Sequence, residues 1–471
     1  MQRLKVSTSC PSCGAPFELL EGANVARCPF CGLPLLVQSQ KKILRYYLEP
    51  KFNKKSISFL VDRFRKEKGF SLPKRIDEIR LLYLPFWRFT ALAFYTIIKQ
   101  PQFFLLPANL PEEPKTEEIL SKEWDVNFTA HQSNSLGIAT LGMRPDWLSL
   151  MILTDKSSLE RRGEVMDIEM NSSAARERAL KSLNFYLGRK KTPEDELVLR
   201  LLEERLSLIY FPLWVANLAA SEGKIHHIID GITKRTLKEG RGHFKLKKSR
   251  AEDVERFHPL KIVPHRCPNC GWDLPVTPFH VVFPCGNCRR IWEIHEEGYH
   301  QIKGELAKAQ EEKVVGPSRP FGYYPFWVFE TRLQKDKNSS IQDVFELLPS
   351  EIGLFSVKDK SRPFLFYVPA FELSNLRKVV DVGLAYLRTQ PDLEIETPKK
   401  ENLKGVFISE DDAKKMAELL WFSLISSKTN LALDDWKNPG FEKGKIIWCP
   451  CRKEGMFLRD AVIGYSFQKV R

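Results

Sequence analysis

Eight of the ten cysteines fall into two quartets of identical spacing, and their thiols are the groups in this chain best suited to chemistry. Each quartet consists of two Cys-x2-Cys pairs separated by 14 residues. The quartets are Cys10, Cys13, Cys28 and Cys31, then Cys267, Cys270, Cys285 and Cys288. Four convergent thiolates suit a tetrahedral zinc ion, and a glycine after a pair permits the left-handed turn that closes such a knuckle. The spacing therefore predicts two zinc ions per chain.

These two segments, residues 1–40 and 261–296, resemble the zinc-ribbon family, which implies metal binding but no reaction. We call them ribbon 1 and ribbon 2. Four protein thiolates leave no open position for water or substrate, so each site is predicted to be structural. A rubredoxin-like iron site and a pair of disulfides are the alternatives, and the disulfides require an oxidising compartment.

The remaining cysteines and the histidines offer weaker candidates. Cys449 and Cys451 have one residue between them on a predicted strand, so their side chains share a face. They are interpreted either as buried cysteines of the strand or as a metal or redox pair. His226 and His227 are adjacent and would point to opposite faces of a strand. The sequence contains no phosphate-binding loop, dinucleotide fingerprint, nucleophile elbow or HExxH motif. An enzyme of unknown class therefore remains only a third hypothesis.

Positive charge is concentrated in two stretches. Lys and Arg number 73 against 59 Asp and Glu, and segments 41–75 and 233–250 hold 12 and 8 of these bases. Such stretches are either solvated faces or contacts for nucleic acid or an acidic partner. The candidate contact residues are Lys41, Lys42, Arg45, Lys54, Lys55, Arg289 and Arg290. Phe30, Trp272 and Trp292 of the ribbons are candidates for stacking on bases.

Aromatic residues flank a proline in a short motif that recurs along the chain. Strong copies occupy 83–87, 210–214 and 323–327, and weaker ones occupy 367–371 and 448–452. On a strand, alternate residues share a face, and proline favours a strand start or an edge. The motifs predict short antiparallel strands in two modules, and the sequence after 214 predicts a β-meander with a turn at Asp230.

Segments with helical periodicity lie between these predicted strands. Helices are predicted at 57–68, 174–187, 194–206, 296–313 and 376–387, and from a capping box at Ser409 and Asp412. The predicted class is α+β. Its predicted parts are ribbon 1 (1–40), a basic helical segment (41–80), module 1 (81–260), ribbon 2 (261–296), a connecting helix (297–319) and module 2 (320–471).

The leading functional hypothesis is a cytoplasmic zinc-binding adaptor whose ribbons recruit a protein partner. The N-terminal residues form no apolar signal segment, and the apolar stretch 81–98 contains Pro85 and Arg88, which favours a buried strand over a transmembrane span. The chain resembles bacterial-type multi-ribbon proteins without assigned activity, which carry ribbons ahead of aromatic-rich α+β modules. Nucleic-acid binding through the ribbons and segment 41–75 is the second hypothesis.

Overall fold

The computed structural model describes most of the chain and divides it into two units. The described residues are 4–38, 43–67, 75–98, 119–131, 138, 140, 149–193, 195–220, 223–244, 261–295, 298–310, 321–333, 339–347, 357–372, 376–398, 403–426 and 439–468. Unit 1 comprises Met1–Thr90, Trp124–Phe185 and Glu204–Pro264, and unit 2 comprises Ala91–Glu123, Tyr186–Glu203 and His265–Arg471. Lys41, Lys42 and most of the acidic segment 111–122 lie outside the described residues.

The elements up to Pro264 are mainly strands. The strands are β1 (Lys5–Ser9), β2 (Pro16–Leu20), β3 (Val25–Arg27), β4 (Pro34–Gln38), β5 (Ile43–Tyr47), β6 (Arg75–Ile98), β7 (Leu120–Thr129), β8 (Ser149–Ile152), β9 (Glu164–Val165), β10 (Glu196–Ala220), β11 (Gly223–Asp230), β12 (Thr236–Arg241) and β13 (Lys261–Pro264). The helices are α1 (Lys54–Glu67), α2 (Lys156–Glu160) and α3 (Ser172–Gly188). The division assigns parts of β6, β7, α3 and β10 to each unit.

The elements after Pro264 belong to unit 2. The strands are β14 (Val282–Pro284), β15 (Ile291–His295), β16 (Gly298–Ile302), β17 (Gly304–Ala307), β18 (Gly322–Arg332), β19 (Leu365–Pro369), β20 (Ile395–Glu396), β21 (Gly440–Phe441), β22 (Lys445–Glu454), β23 (Phe457–Asp460) and β24 (Ser466–Gln468). The helices are α4 (Ile341–Leu347), α5 (Leu376–Thr389) and α6 (Glu410–Ser426).

Each unit contains one larger sheet and one small sheet next to its cysteines. The larger sheet of unit 1 runs β12-β11-β10-β5-β8-β1-β2, and β13-β4-β3 form the small sheet. In unit 2 the larger sheet runs β19-β18-β22-β17-β20, and β14-β15-β16 form the small sheet. Both larger sheets mix directions, since β5 is parallel to β10 and β17 is parallel to β22. The predicted α+β class is thus confirmed at the level of mixed helix and sheet, but the strands are not purely antiparallel.

Four of the predicted helices are present. The segments 57–68, 174–187 and 376–387 correspond to α1, α3 and α5. The amide of Asp412 donates to the Ser409 hydroxyl at 3.3 Å, which caps α6 as the capping-box motif predicts. The segment 81–98 is part of the buried strand β6, as predicted, and the meander β10-β11-β12 is also present.

Two predicted helices were wrong. Residues 196–206 begin the strand β10, although Leu, Glu and Arg favour helices. Helix α6 fixes this backbone, because Lys415 Nζ donates to the Leu201 carbonyl at 2.9 Å and the Glu203 amide donates to Asp412 at 3.0 Å. The predicted connecting helix at 296–313 is replaced by β16 and β17. β16 pairs only with β15 among the described strands, and such an edge strand tolerates the polar residues that resembled an exposed helix.

The three strong copies of the proline motif lie within strands, whereas the copy at 367–371 extends past the end of β19. Two of these strands are longer than predicted, since β6 has 24 residues and β10 has 25. Pro85 and Pro212 lie in the interiors of strands that have partners on more than one side, so the expected strand start or edge was wrong there. The large side chains of the copies at 83–87 and 210–214 are buried, which follows from the apolar area that such rings remove from water.

Matching hydrogen bonds recur in the two units. The indole of Trp87 donates to the Met170 carbonyl at 2.8 Å, and the indole of Trp327 donates to the Ile408 carbonyl at 2.9 Å. Each accepting carbonyl lies two residues before a 17-residue helix, α3 or α6. The hairpins after β11 and β23 also match. Asp230 and Asp460 each accept backbone amides from the second and third residues that follow them.

Asp460 makes the stability of unit 2 depend on pH. Its carboxyl is fully buried and accepts a hydrogen bond from Tyr386. Burial raises the pKa of Asp460 to about 6, whereas an unfolded aspartate titrates near 3.9. The folded state therefore binds this proton more tightly, and its contribution to the free energy of unfolding decreases as pH rises from about 4 to about 6.

We expect Asp460→Asn, which carries no titrating group, to gain stability relative to the wild type as pH rises from 5 to 7. Urea unfolding of both proteins at each pH measures this change. Contributions from the metal ligands are common to both proteins and cancel in the difference. A difference in unfolding free energy that stays constant across this pH range would contradict the assignment.

Candidate metal centres

Ribbon 1 brings its four sulfurs together by connecting two pairs of strands. Cys10 and Cys13 follow β1 and lead into the antiparallel strand β2, and Cys28 and Cys31 connect β3 to β4 in the same way. The Cys10 and Cys31 sulfurs are 3.7 Å apart, and those of Cys13 and Cys28 are 3.8 Å apart. All four sulfurs lie within 4.8 Å of one another, so the predicted convergence is confirmed.

Ribbon 2 repeats this arrangement. Its second knuckle connects β14 to β15, and its first lies after Pro264. The Cys267 and Cys288 sulfurs are 3.5 Å apart, and those of Cys270 and Cys285 are 3.6 Å apart. These four sulfurs also lie within 4.8 Å of one another. Cys267 and Cys285 are buried and Cys288 is partly exposed.

The donor set fits a tetrahedral metal ion. Four sulfurs at about 2.3 Å from a tetrahedral centre lie roughly 3.8 Å from each other, close to the separations in both quartets. A disulfide needs an S–S distance of about 2.05 Å, and all ten cysteines are free thiols. With four thiolates per site, no position is left for a reacting water. A bound ion would therefore hold the two knuckles together and would take no part in a reaction.

The pKa values of the thiols show why a cation is needed. The Trp272 amide donates to the Cys270 sulfur and lowers the pKa of that thiol to about 6. Burial raises the pKa of Cys285 to about 12, and neighbouring thiols act in the same direction. Burial opposes the charged form of these sulfurs, and four adjacent thiolates repel one another unless a metal ion neutralises them.

The four knuckles share one backbone geometry. The carbonyl of the first cysteine in each pair accepts the amide of the residue four positions later, at 2.9–3.0 Å. That later residue has a left-handed φ of 70–74° at Gly14, Gly32 and Gly271 and of 61° at Arg289. Glycine adopts this conformation without steric cost, whereas arginine does not. Arg289 therefore strains the last knuckle.

We expect Arg289→Gly to tighten zinc binding at ribbon 2 about fivefold, because removing the strain is worth roughly 1 kcal/mol. Competition with a chromophoric chelator measures the affinity. Gly271→Ala is the matched variant, and it should weaken zinc binding at ribbon 2. A Cβ at Gly271 meets no atom within 4 Å, so its cost arises from the backbone conformation alone. Unchanged affinity in both variants would contradict the strain.

Not all of the basic residues predicted to contact a partner are exposed. Arg45 is only 5% exposed on β5, so its assignment as a contact residue was wrong. Lys54 and Lys55 are exposed in the first turn of α1, and Arg289 and Arg290 are exposed after the last ligand of ribbon 2. The predicted basic residues thus belong to different units, with Lys54 and Lys55 in unit 1 and the arginines in unit 2.

The aromatic residues of the ribbons fall into two groups. Phe30 is 67% exposed and Trp272 is 60% exposed. Trp292 is buried, and its indole donates to the Cys267 sulfur at 3.2 Å, so the expectation that it stacks on bases was wrong. This N–H···S bond was not predicted from the sequence. The position of Trp292, four residues after the last ligand, is its only sequence signal.

The other candidate groups have structural partners. Nδ1 of His226 donates to the Gly242 carbonyl at 2.9 Å, and Asp230 caps the turn after β11. Burial lowers the pKa of His265 and of His280 to about 4, which keeps both rings neutral near pH 7. Cys449 and Cys451 are buried on β22, where burial raises the pKa of both thiols well above the usual value.

Among the described residues, only the two cysteine quartets group three or more potential metal ligands closely enough to hold an ion. The same residues include no helix that is both long and apolar enough to cross a membrane. The chain matches no protein-family model, no curated protein and no solved structure. The site therefore defines the class, a protein with two tetracysteine centres compatible with ribbon-type metal sites.

Proposed function

We propose that this protein is a structural zinc-binding adaptor whose two ribbons present rigid surfaces to a protein partner. The observation that supports the proposal is the geometry of the sulfurs, which form two closed quartets with separations of 3.5–3.8 Å between paired sulfurs. Closed tetrathiolate sites stabilise small folds and supply no reaction step. Zinc is favoured over iron because its role here needs no change of oxidation state.

The exposed aromatic side chains indicate where the partner binds. Phe30 lies between two ligands of ribbon 1, and Trp272 follows the first knuckle of ribbon 2. Both rings are more than half exposed, and such rings supply a large part of the binding energy at protein interfaces. Because each lies on a knuckle, its position depends on the bound metal. We therefore propose a partner with apolar pockets that accept these two rings.

A crosslinking pull-down with the full chain tests the adaptor function. We expect the double variant Phe30→Ala, Trp272→Ala to lose partners that the wild type captures, by at least tenfold, while both zinc ions remain bound. Phe185→Ala is the matched control, since Phe185 is 73% exposed on α3 and lies outside the ribbons. Equal capture by the double variant and the control would overturn the proposal.

Nucleic-acid binding is the second candidate, and one observation favours it. Trp272 is exposed on the same ribbon as Arg289 and Arg290, which combines a stacking ring with cations. A zinc ion with four thiolates, however, carries a net charge of about −2, which disfavours a phosphate beside it. Binding of single- and double-stranded oligonucleotides at low salt, falling steeply as salt rises, would support this candidate over the adaptor.

The proposed domain boundaries follow the ribbons. We propose that residues 1–40 and 265–296 are the two ribbons, and that each is associated with one α+β module. The predicted start of ribbon 2 at 261 moves to 265 because β13 pairs with β4 of ribbon 1. The recurring indole and hairpin hydrogen bonds support descent of both units from one ribbon-plus-sheet ancestor. The adaptor would then carry two related platforms, and a cytoplasmic location is part of this proposal.

A further inference from the structure

One sulfur of ribbon 2 receives a hydrogen bond from the side chain of a residue that is not a cysteine. The buried indole of Trp292 donates to the Cys267 sulfur at 3.2 Å. The backbone amide of Cys288 donates to the Cys285 sulfur at 3.5 Å. Asn269 and Asn287 occupy the third positions of the two Cys-x2-Cys pairs.

Ribbon 1 has different residues at the three equivalent positions. Ser12 and Phe30 stand where ribbon 2 has its two asparagines, and Leu35 stands where ribbon 2 has its tryptophan. Phenylalanine and leucine have no donor, and within residues 4–38 no contact joins the Ser12 hydroxyl to a sulfur. The side-chain contacts of the ribbon 1 sulfurs in this segment are those between the cysteines themselves.

Exposure adds to this difference. Cys13 and Cys31 are exposed, whereas Cys288 at the position of Cys31 is only partly exposed. An N–H···S bond withdraws charge from a thiolate and occupies the lone pair that an attacking group would use. Loss of such outer contacts typically lowers metal affinity by about 10- to 100-fold. A chelator or a competing metal therefore meets more nucleophilic and more accessible sulfurs at ribbon 1.

We propose that ribbon 1 is an exchangeable metal site, whereas ribbon 2 holds its metal permanently. Metal occupancy of ribbon 1 then controls the surface around Phe30, so that this ribbon binds its partner only when metal is bound. The consequence for partner binding rests on the proposed adaptor function, but the inequality of the two sites does not. It follows from the residues around the sulfurs.

Release of zinc from the full chain to the chromophoric chelator 4-(2-pyridylazo)resorcinol tests the inequality. We expect two phases of one zinc each, with rates that differ by at least tenfold. Cys13→Ser should abolish the fast phase and Cys270→Ser the slow one. A single rate for both ions, or loss of the slow phase in Cys13→Ser, would overturn the proposal.

A substitution of the hydrogen-bond donor tests the cause of the inequality between the two sites. Trp292→Phe keeps the buried ring and removes the N–H, so it should accelerate the slow phase about tenfold. Trp448→Phe is the matched control, because the Trp448 indole donates to the Lys404 carbonyl and not to a sulfur. Equal slow-phase rates in Trp292→Phe and Trp448→Phe would show that the donor has no role.

These rates are independent of partner capture, so the two proposals fail separately. If both zinc ions leave at one rate but the double aromatic variant still loses its partners, the adaptor function stands and the exchangeable site does not. If the two release rates differ but no partner depends on Phe30 and Trp272, the exchangeable site stands and the adaptor function does not.

Discussion

Replacing Cys270 with serine is expected to unfold ribbon 2 and to reduce the bound zinc from two ions per chain to one. A structural zinc site contributes roughly 10–16 kcal/mol of apparent binding free energy at neutral pH, and a ribbon has too little apolar core to fold without it. The remaining three thiolates cannot close the tetrahedron. Cys13→Ser should have the same effect on ribbon 1. Elemental analysis of the purified variants measures the stoichiometry.

Cys451→Ala is the matched control for these substitutions. Its thiol is buried on β22 and belongs to neither quartet, so the variant should keep two zinc ions even if its core is less stable. Two zinc ions bound to Cys270→Ser, or fewer than two bound to Cys451→Ala, would show that the quartets are not the zinc sites.

Replacing Arg88 with methionine should destabilise unit 1 by about 3 kcal/mol, because it leaves two carboxylates without their buried cation. Arg88 is 2% exposed on β6. Its guanidinium donates to Asp125 at 2.6 and 3.0 Å and also to Glu21, which follows the β2 strand of ribbon 1. Removal of the cation would therefore loosen the support of ribbon 1. Urea unfolding monitored by tryptophan fluorescence measures the loss.

A surface ion pair of the same unit provides the comparison. Arg162 and Glu49 are 2.7 Å apart, but both side chains are about half exposed. Such pairs contribute at most about 1 kcal/mol, since water already solvates both charges. Arg162→Ala should therefore cost much less than Arg88→Met. Equal costs for the two substitutions would mean that the buried cluster does not support the fold.

The metal centres were predictable from sequence because their signal is local. Two cysteines separated by two residues can bind one ion only through a tight knuckle, and the 14-residue spacer is long enough to bring the second pair back. The structure agrees with this expectation at all eight ligands. The helices α1, α3, α5 and α6 were predictable for the same reason, since periodicity and caps are also local.

Tertiary contacts decided the elements that sequence reasoning misassigned. Residues 196–206 are rich in helix formers, yet they begin the strand β10, where α6 contacts the backbone of Leu201 and Glu203. Tertiary contacts of this kind override intrinsic propensity and leave no mark in a short window of sequence. The long strand β6 was underestimated because Pro85 resembles a strand end when its neighbours in space are unknown.

The side chains around the sulfurs were the least predictable part of the sites. Trp292 lies four residues after the last cysteine of ribbon 2, which is visible in sequence, but its hydrogen bond to the Cys267 sulfur is known only from the structure. Arg45 illustrates the opposite error. Its charge predicted an exposed contact, whereas the strand β5 buries it in the sheet of unit 1.

X-ray absorption at the zinc edge of the purified chain, combined with its metal content, tests the central claim most directly. We predict two zinc ions per chain and a first shell of four sulfurs at about 2.3 Å, with no nitrogen or oxygen ligand. A chain that binds fewer than two zinc ions after incubation with excess zinc and removal of the free metal, a dominant content of iron as isolated, or a shell that includes oxygen would contradict the assignment of both quartets as closed zinc sites.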